Sequence, residues 1–411
     1  MTSPLPADRP KGAPGGWGAP LATIFAVQVT AGFMLQLLPT TAPALMAQRG
    51  WSEGTIGYLS ALIMSCSIVV LLACGPLLRR FGPLRVIQVQ FVVGAFGALL
   101  LGLPAALAPL ATCFLLGSAY GPTAPAGSDI LHRFSPPRHH ALIFSIRQAG
   151  VPLGAAGAGL VLPLALSAGG LAAATGVTAA VLVGCACLVQ PMRRRADADR
   201  VSTDRTPLGM ALGLPFKAIW GLRDLRGLAA IGGFLAVGQG VLNAFLVTFL
   251  VTTLSVPLES AGLIFAAMHG GGIVGRLLAG WLADRLRSGL AVLRIAAIGG
   301  VMSSLYLSVA SQDWSLAVWL VPAAATGVFV FGWNGVLMSE VARRASAGTI
   351  GETTAGATTI IYLGLMLGPA GFAAVHGLLG GFDLAFIGFG AWPALAILLS
   401  IVLHPRATSS S

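Results

Sequence analysis

Apolar runs of roughly 20 residues, broken by short polar or basic turns, recur from about Pro20 to His404. They start near Pro20, Thr55, Leu84, Ala108, Ala141, Gly169, Gly227, Ser260, Gly289, Leu316, Thr353 and Phe382, twelve in all. Each is long enough for an α-helix to cross a hydrocarbon layer ~30 Å thick. A helix satisfies its own backbone N–H and C=O groups, which lipid cannot do, so the pattern predicts an all-α membrane protein with twelve transmembrane helices. Alternating strands of about ten residues, the signature of a membrane barrel, are not seen.

Polar stretches divide the chain. Residues 1–19 read as a Pro/Gly-rich cytoplasmic tail without a signal-peptide core. Residues 20–190 form a first six-helix bundle, 191–226 a cytoplasmic linker, 227–404 a second six-helix bundle and 405–411 a short tail. The linker carries the Arg193-Arg194-Arg195 run among several aspartates, and its part from Met210 to Trp220 is apolar enough for a surface amphipathic helix.

Composition agrees: 56% of the 411 residues are hydrophobic and 9% charged, with a mean hydropathy of +0.87. So few charges cannot cover a soluble protein of this size. The net charge of +11 could point to nucleic acid, but its placement argues otherwise. Outward loops hold one basic residue, Arg49, against Glu53, Glu259, Asp313 and Asp383. The remaining Lys and Arg concentrate in the termini and even-numbered loops, which puts both termini in the cytoplasm. The expected partner of this charge is anionic lipid headgroups, not nucleic acid. Abundant Ala, Gly and Arg with only two lysines suggests a bacterial source, hence an inner membrane. The five cysteines all fall in apolar runs and imply no disulfide framework.

The two halves are related. Gly280-Trp281-Leu282-Ala283-Asp284-Arg285 has an altered copy 205 residues earlier, Gly75-Pro76-Leu77-Leu78-Arg79-Arg80. At an offset of 211, Gln28 matches Gln239, Gly121 matches Gly332, Asp129 matches Glu340 and Arg133 matches Arg344. Parallel six-helix repeats about an axis along the membrane normal are a known transporter plan, with the site at their interface.

On these motifs the chain resembles the major facilitator superfamily from about Pro20 to His404. The resemblance implies two pseudo-symmetric bundles rocking about a central site. Arg79 stands where the family usually has Asp. Gly117 occupies the place of an arginine often tied to proton coupling. Gly150, Gly154, Gly157 and Gly159, with Pro152, partly resemble an antiporter-associated glycine motif; close helix packing is the alternative.

Polar side chains at lipid depth are functional candidates. Arg276 leads: it lies eight residues before Asp284, about 12 Å along a helix. All thirteen acids fall in tails, loops or helix ends, so an anionic ligand is the natural counter-charge for this guanidinium. Its place before the hinge glycine is similar to that of the substrate-contacting arginine of oxalate/formate, monocarboxylate and nitrate/nitrite transporters. Two departures stand out: Gly272 replaces an aspartate of the monocarboxylate branch, and the span starting at Thr353 has no lysine. One cation suits a monoanion; the alternative is that Arg276 is structural and only ties its helix to the hinge.

Gln28, Gln239 and Asn243 are candidates to orient that ligand, and His269 to bond it or carry a proton. Trp333, Asn334 and Tyr362 are candidates for a wall around its apolar body. Arg147 and Gln148 enter the fifth span near its cytoplasmic end, where Arg147 reads as a basic-loop residue, with a second anion contact as the alternative. Asp129, Arg133, Glu340 and Arg344, with the hinge residues Asp284 and Arg285, are expected in gating.

The implied function is transport of a small, monocarboxylate-like organic anion by alternating access, with protons or a counter-substrate as coupling partner and a monomer as the working unit. Efflux of neutral or amphipathic compounds is the alternative, and a non-transporting membrane sensor a lesser one. No enzyme, cofactor or metal is expected. The six histidines show no HExxH, and the glycine run Gly270–Gly275 has no βαβ context for a nucleotide turn.

Overall fold

The computed structural model describes residues 16–136, 140–198, 200, 219–221, 223–345 and 350–403, without the side chains of 140–142 and 350–352. All regular elements among them are helical. The expected surface helix from Met210 lies outside the described residues except at its last two, Ile219 and Trp220.

In chain order the spans are Gly18–Arg49 (span 1), Glu53–Ala73 (span 2) and Pro83–Leu101 (span 3). Span 4 comprises Ala108–Tyr120 and Thr123–Phe134, and His140–Leu188 supplies spans 5 and 6. The second half contains Arg223–Thr253 (span 7), Leu258–Leu286 (span 8), Gly289–Ser308 (span 9) and Leu316–Arg344 (span 10). Ile350–Leu379 (span 11) and a last span ending at Val402 complete it.

Ten helices among the described residues are long and apolar enough to cross a membrane, against the twelve expected. The difference has two causes. His140–Leu188 is continuous except at Gly169 and Gly170. Gly170 has φ 63°, ψ −158°, a conformation open to glycine alone, and it breaks the helix there. Span 4 is interrupted at Gly121-Pro122, so neither piece has the length of a crossing. Span 10 is interrupted at Trp333, directly after Gly332. Gly121 and Gly332 are the residues that the 211 offset aligns, so the two breaks are repeat-equivalent.

Neighbour relations repeat as well. Within the first half span 1 lies on span 5, span 2 on span 4 and span 3 on span 6; within the second, 7 lies on 11, 8 on 10 and 9 on 12. Between halves, span 2 meets span 11 and span 5 meets span 8. Each inter-half contact becomes the other when every span is replaced by its repeat counterpart, as a pseudo-two-fold axis requires.

Small residues make these contacts close. A Cβ at Gly154 would collide with the Val29 carbonyl oxygen, and one at Gly262 with that of Gly159. The span 5 glycines thus pack against spans 1 and 8. A Cβ at Gly117 would collide with Ile63 O of span 2, which leaves no room for an arginine there. Gly271 and Gly275, from the glycine run, press against span 10.

Candidate functional site

A partly open cavity lies between the halves. Its walls come from spans 1, 2, 4 and 5 and from their counterparts 7, 8, 10 and 11. Of the sequence candidates, Gln239, Asn243, His269 and Arg276 line it. Gln36, Ser60, Tyr120 and Phe331 also line it and were not anticipated. Gln36 and Ser60 carry the same signal as the candidates, polar groups inside apolar runs, but their side chains are uncharged.

Arg276 projects from span 8. Its Nε donates to Phe331 O at 3.3 Å and its Nη1 donates to Gln148 O of span 5, in the other half. Both partners are neutral carbonyls, and no carboxylate among the described residues pairs with it. A guanidinium carries five N–H donors, so part of the fork stays available to a ligand.

Arg147 is a second buried arginine, with 4% exposure, and it is treated differently. Its Nη1 donates to Ser128 Oγ at 2.8 Å and its Nη2 to Ala124 O at 2.7 Å. With its amide oriented by this network, Gln28 Oε1 accepts from Arg147 Nε at 3.0 Å and Nη2 at 3.2 Å. Neutral acceptors of spans 1 and 4 therefore surround Arg147. Gln28 is occupied in holding it and does not line the cavity beside Gln239.

The expected aromatic wall is rearranged. Trp333 is fully buried and donates from its indole to Val330 O at 2.7 Å. It lines a separate cavity within the second half and not the one that Arg276 lines. Tyr362 stacks on Tyr120 across the halves, with ring centroids 5.7 Å apart, and Tyr120 is the member that lines the central cavity. Asn334 Nδ2 donates to Gln239 Oε1 at 3.4 Å, so it supports a lining residue from behind.

His269, 2% exposed, sits between Phe265 and Phe331 with ring centroids at 4.6 and 4.7 Å. Neither imidazole nitrogen has a hydrogen-bond partner. Gln36 Oε1, Ser60 Oγ and Asn243 Oδ1 are also buried and unpartnered. Buried polar groups are normally satisfied, so four such side chains lining one cavity point to a ligand or ordered water.

The gating candidates pair locally. Arg133 bonds Asp129 at 3.0 Å within span 4 and also reaches Ala196 O at 2.8 Å. Glu340 is buried between Arg343 and Arg344 of its own helix and accepts from Gly289 N at 3.2 Å. Asp284 and Arg285 are exposed. Among the described residues, these pairs each lie within one half. A bridge does exist at the opposite end: Glu53 Oε1 accepts from Thr252 Oγ1 at 2.6 Å, and Glu53 Oε2 lies 3.1 Å from His376 Nε2. Among the described residues no cluster of three His, Cys, Asp or Glu could hold a metal.

Comparison with known proteins accords with this architecture. The chain is 26% identical over 426 residues to a gallate transporter of Pseudomonas putida, covering 94% of this chain and 91% of that one. It superposes on a mutant of the nucleoside transporter NupG with a TM-score of 0.76 at 14% identity, over 94% of this chain and all of that one. A bacterial homolog of the human lysosomal transporter Spinster, inward-facing and occupied, gives a TM-score of 0.72 at 14% identity, over 95% and 97% of the two chains. The sequence profile of the Major Facilitator Superfamily matches residues 24–369. With a central cavity walled by two repeat-related halves and a family match across most of its length, the chain belongs to the major facilitator superfamily of membrane transporters.

Proposed function

We propose that this transporter carries a small organic anion with one carboxylate, held by Arg276 in the central cavity. The observation behind this reading is the guanidinium itself: it lines the cavity, bonds only neutral carbonyls and has no carboxylate partner among the described residues. A charge so placed in lipid-depth helices favours a mobile counter-anion. The gallate transporter is a relative whose named cargo is an aromatic carboxylate, and Phe331 and Tyr120 supply aromatic walls here.

The working cycle is alternating access in the inner membrane of a bacterial cell, with both termini cytoplasmic and a monomer as the unit. Among the described residues no acid lines the cavity. A coupling proton therefore travels on His269, on an acid at the ends, or with the substrate; exchange against a counter-substrate needs none of these. Apolar walls, including Leu35, Ile63 and Leu365, support a second reading, efflux of amphipathic compounds.

Flux into proteoliposomes tests both, and also separates transport from sensing. We expect saturable uptake of benzoate or gallate that Arg276→Gln abolishes while the ligand-free unfolding temperature is kept. Unchanged anion flux in that variant overturns the reading. Saturable flux of lipophilic compounds alone establishes the second.

A further inference from the structure

The cavity is chemically unequal at its two ends. Arg276 lies toward the end that bears Asp284 and Glu340. His269 is seven residues further along span 8, about 10 Å away at 1.5 Å per residue. Asn243 lies one helical turn beyond Gln239 on span 7, on the side of Thr252. Ser60 is seven residues into span 2 from Glu53, about 10 Å from that end. By this spacing His269, Asn243 and Ser60, which line the cavity with unpartnered atoms, lie toward the end away from Arg276, and Gln36 lines the same cavity.

Their chemistry is specific. Gln36 Oε1 and Asn243 Oδ1 can only accept hydrogen bonds, whereas Ser60 Oγ and the neutral His269 ring can both donate and accept. Gln36 is 5% exposed and His269 2%, so bulk water does not satisfy them. The two unpartnered amide oxygens each call for a donor, and a ligand hydroxyl, which donates and accepts, also matches Ser60 and His269. Among the described residues no acidic side chain lines the cavity, so an ammonium group would find no counter-charge there, whereas a hydroxyl would be matched. Between the two ends the walls are apolar, with Ile63, Val151 and Phe331.

We propose that Gln36, Ser60 and Asn243 form a hydroxyl-reading subsite, and that the cargo is a hydroxylated carboxylate bound with its carboxylate on Arg276 and its hydroxyls on these three residues. This rests on the anion reading of Arg276 and adds the part of the ligand that Arg276 does not see. His269 stands beside the subsite as a further acceptor, held in place by Phe265 and Phe331.

Benzoate and gallate, which share a carboxylate and ring and differ only in hydroxyls, separate the two claims. Affinities for both are measured by calorimetry on purified wild-type protein and on Gln36→Leu, Ser60→Ala, Asn243→Leu and Arg276→Gln. The wild type is expected to prefer gallate. Each subsite variant should weaken gallate by about threefold to tenfold, the worth of one hydrogen bond, and leave benzoate within twofold. Ser60→Ala removes one oxygen atom and serves where the leucine variants do not fold. Arg276→Gln should weaken both ligands alike. Equal loss of both ligands in the subsite variants, loss of neither, or a wild type that does not prefer gallate overturns the hydroxyl subsite. Retention of both by Arg276→Gln instead overturns the anion reading beneath it.

Discussion

The guanidinium of Arg276 donates to the main-chain carbonyl of Gln148, so a cavity-lining arginine also ties span 8 to span 5 across the two halves. An anion entering the cavity competes with that carbonyl for the same donors. The fork matters here as well as the charge, since guanidinium can serve a carboxylate and a carbonyl together, whereas lysine presents a point charge. Arg276→Lys should therefore weaken anion binding by about tenfold or more, which calorimetry would read directly. Equal affinity in the lysine variant would show that only charge is used.

Glu53 ties three spans together at the opposite end, through Thr252 and His376. The pair is partly exposed, at 17% and 25%, so its worth is about 0–1 kcal/mol. That is still enough to shift a two-state population by up to about fivefold. Glu53→Gln should raise the rate at which a cysteine at position 60 is labelled from that side, in a background with the five native cysteines replaced. An unchanged rate would make the contact decorative.

Why Arg276 could be read from sequence and the subsite could not follows from the energetics of burial. A lone arginine in an apolar run is costly enough in lipid to demand a reason. Gln36 and Ser60 are cheaper, and apolar helices carry many such groups bonded to their own backbone, as Ser67 is to Ile63 O. Only three-dimensional placement shows that these two have no partner. Arg147 was assigned to a basic loop because it lies near a helix start; its burial depends on Ser128, Ala124 and Gln28, which are distant in sequence. Trp333 lines a cavity within the second half instead of the central one, a choice between two faces of one apolar helix that hydropathy does not encode. The repeat offset, by contrast, aligns Gly121 with Gly332, although only the structure shows a helix break at each.

Asp197, just past span 6, accepts from Leu84 N at 2.8 Å and Arg85 N at 3.1 Å, capping span 3. Repeat-equivalent Gly289 N is capped instead by Glu340, from span 10. Burial pushes the Asp197 carboxyl above its ordinary value of 3.8, against the opposing pull of those N–H groups, Arg193 and Arg133. An acid raised in the native state binds its proton more tightly than in the unfolded chain, so its contribution to stability falls as pH rises through that interval. Asp197→Asn should flatten this part of the profile of unfolding temperature against pH. Asp197→Ala should lose about 0.5–2 kcal/mol at neutral pH, as for other caps. An Asn variant with the wild-type slope would assign the titration elsewhere.

The span 5 glycines make a sharper contrast than their shared motif suggests. A Cβ at Gly154 meets the backbone of Val29, which cannot rotate away, whereas one at Gly157 meets only Phe33 Cδ2, at 3.9 Å. If the motif serves close packing of span 5 on span 1, Gly154→Ala should destabilise by about 1–3 kcal/mol, the usual cost of overpacking. Gly157→Ala should sit within ordinary van der Waals contact and leave the unfolding temperature nearly unchanged. If the glycines instead serve as a flexible hinge for transport, both alanines should slow flux at unchanged stability. Measuring unfolding temperature and flux on the same two variants decides between them, because packing predicts a difference in stability between the two sites and a hinge predicts none.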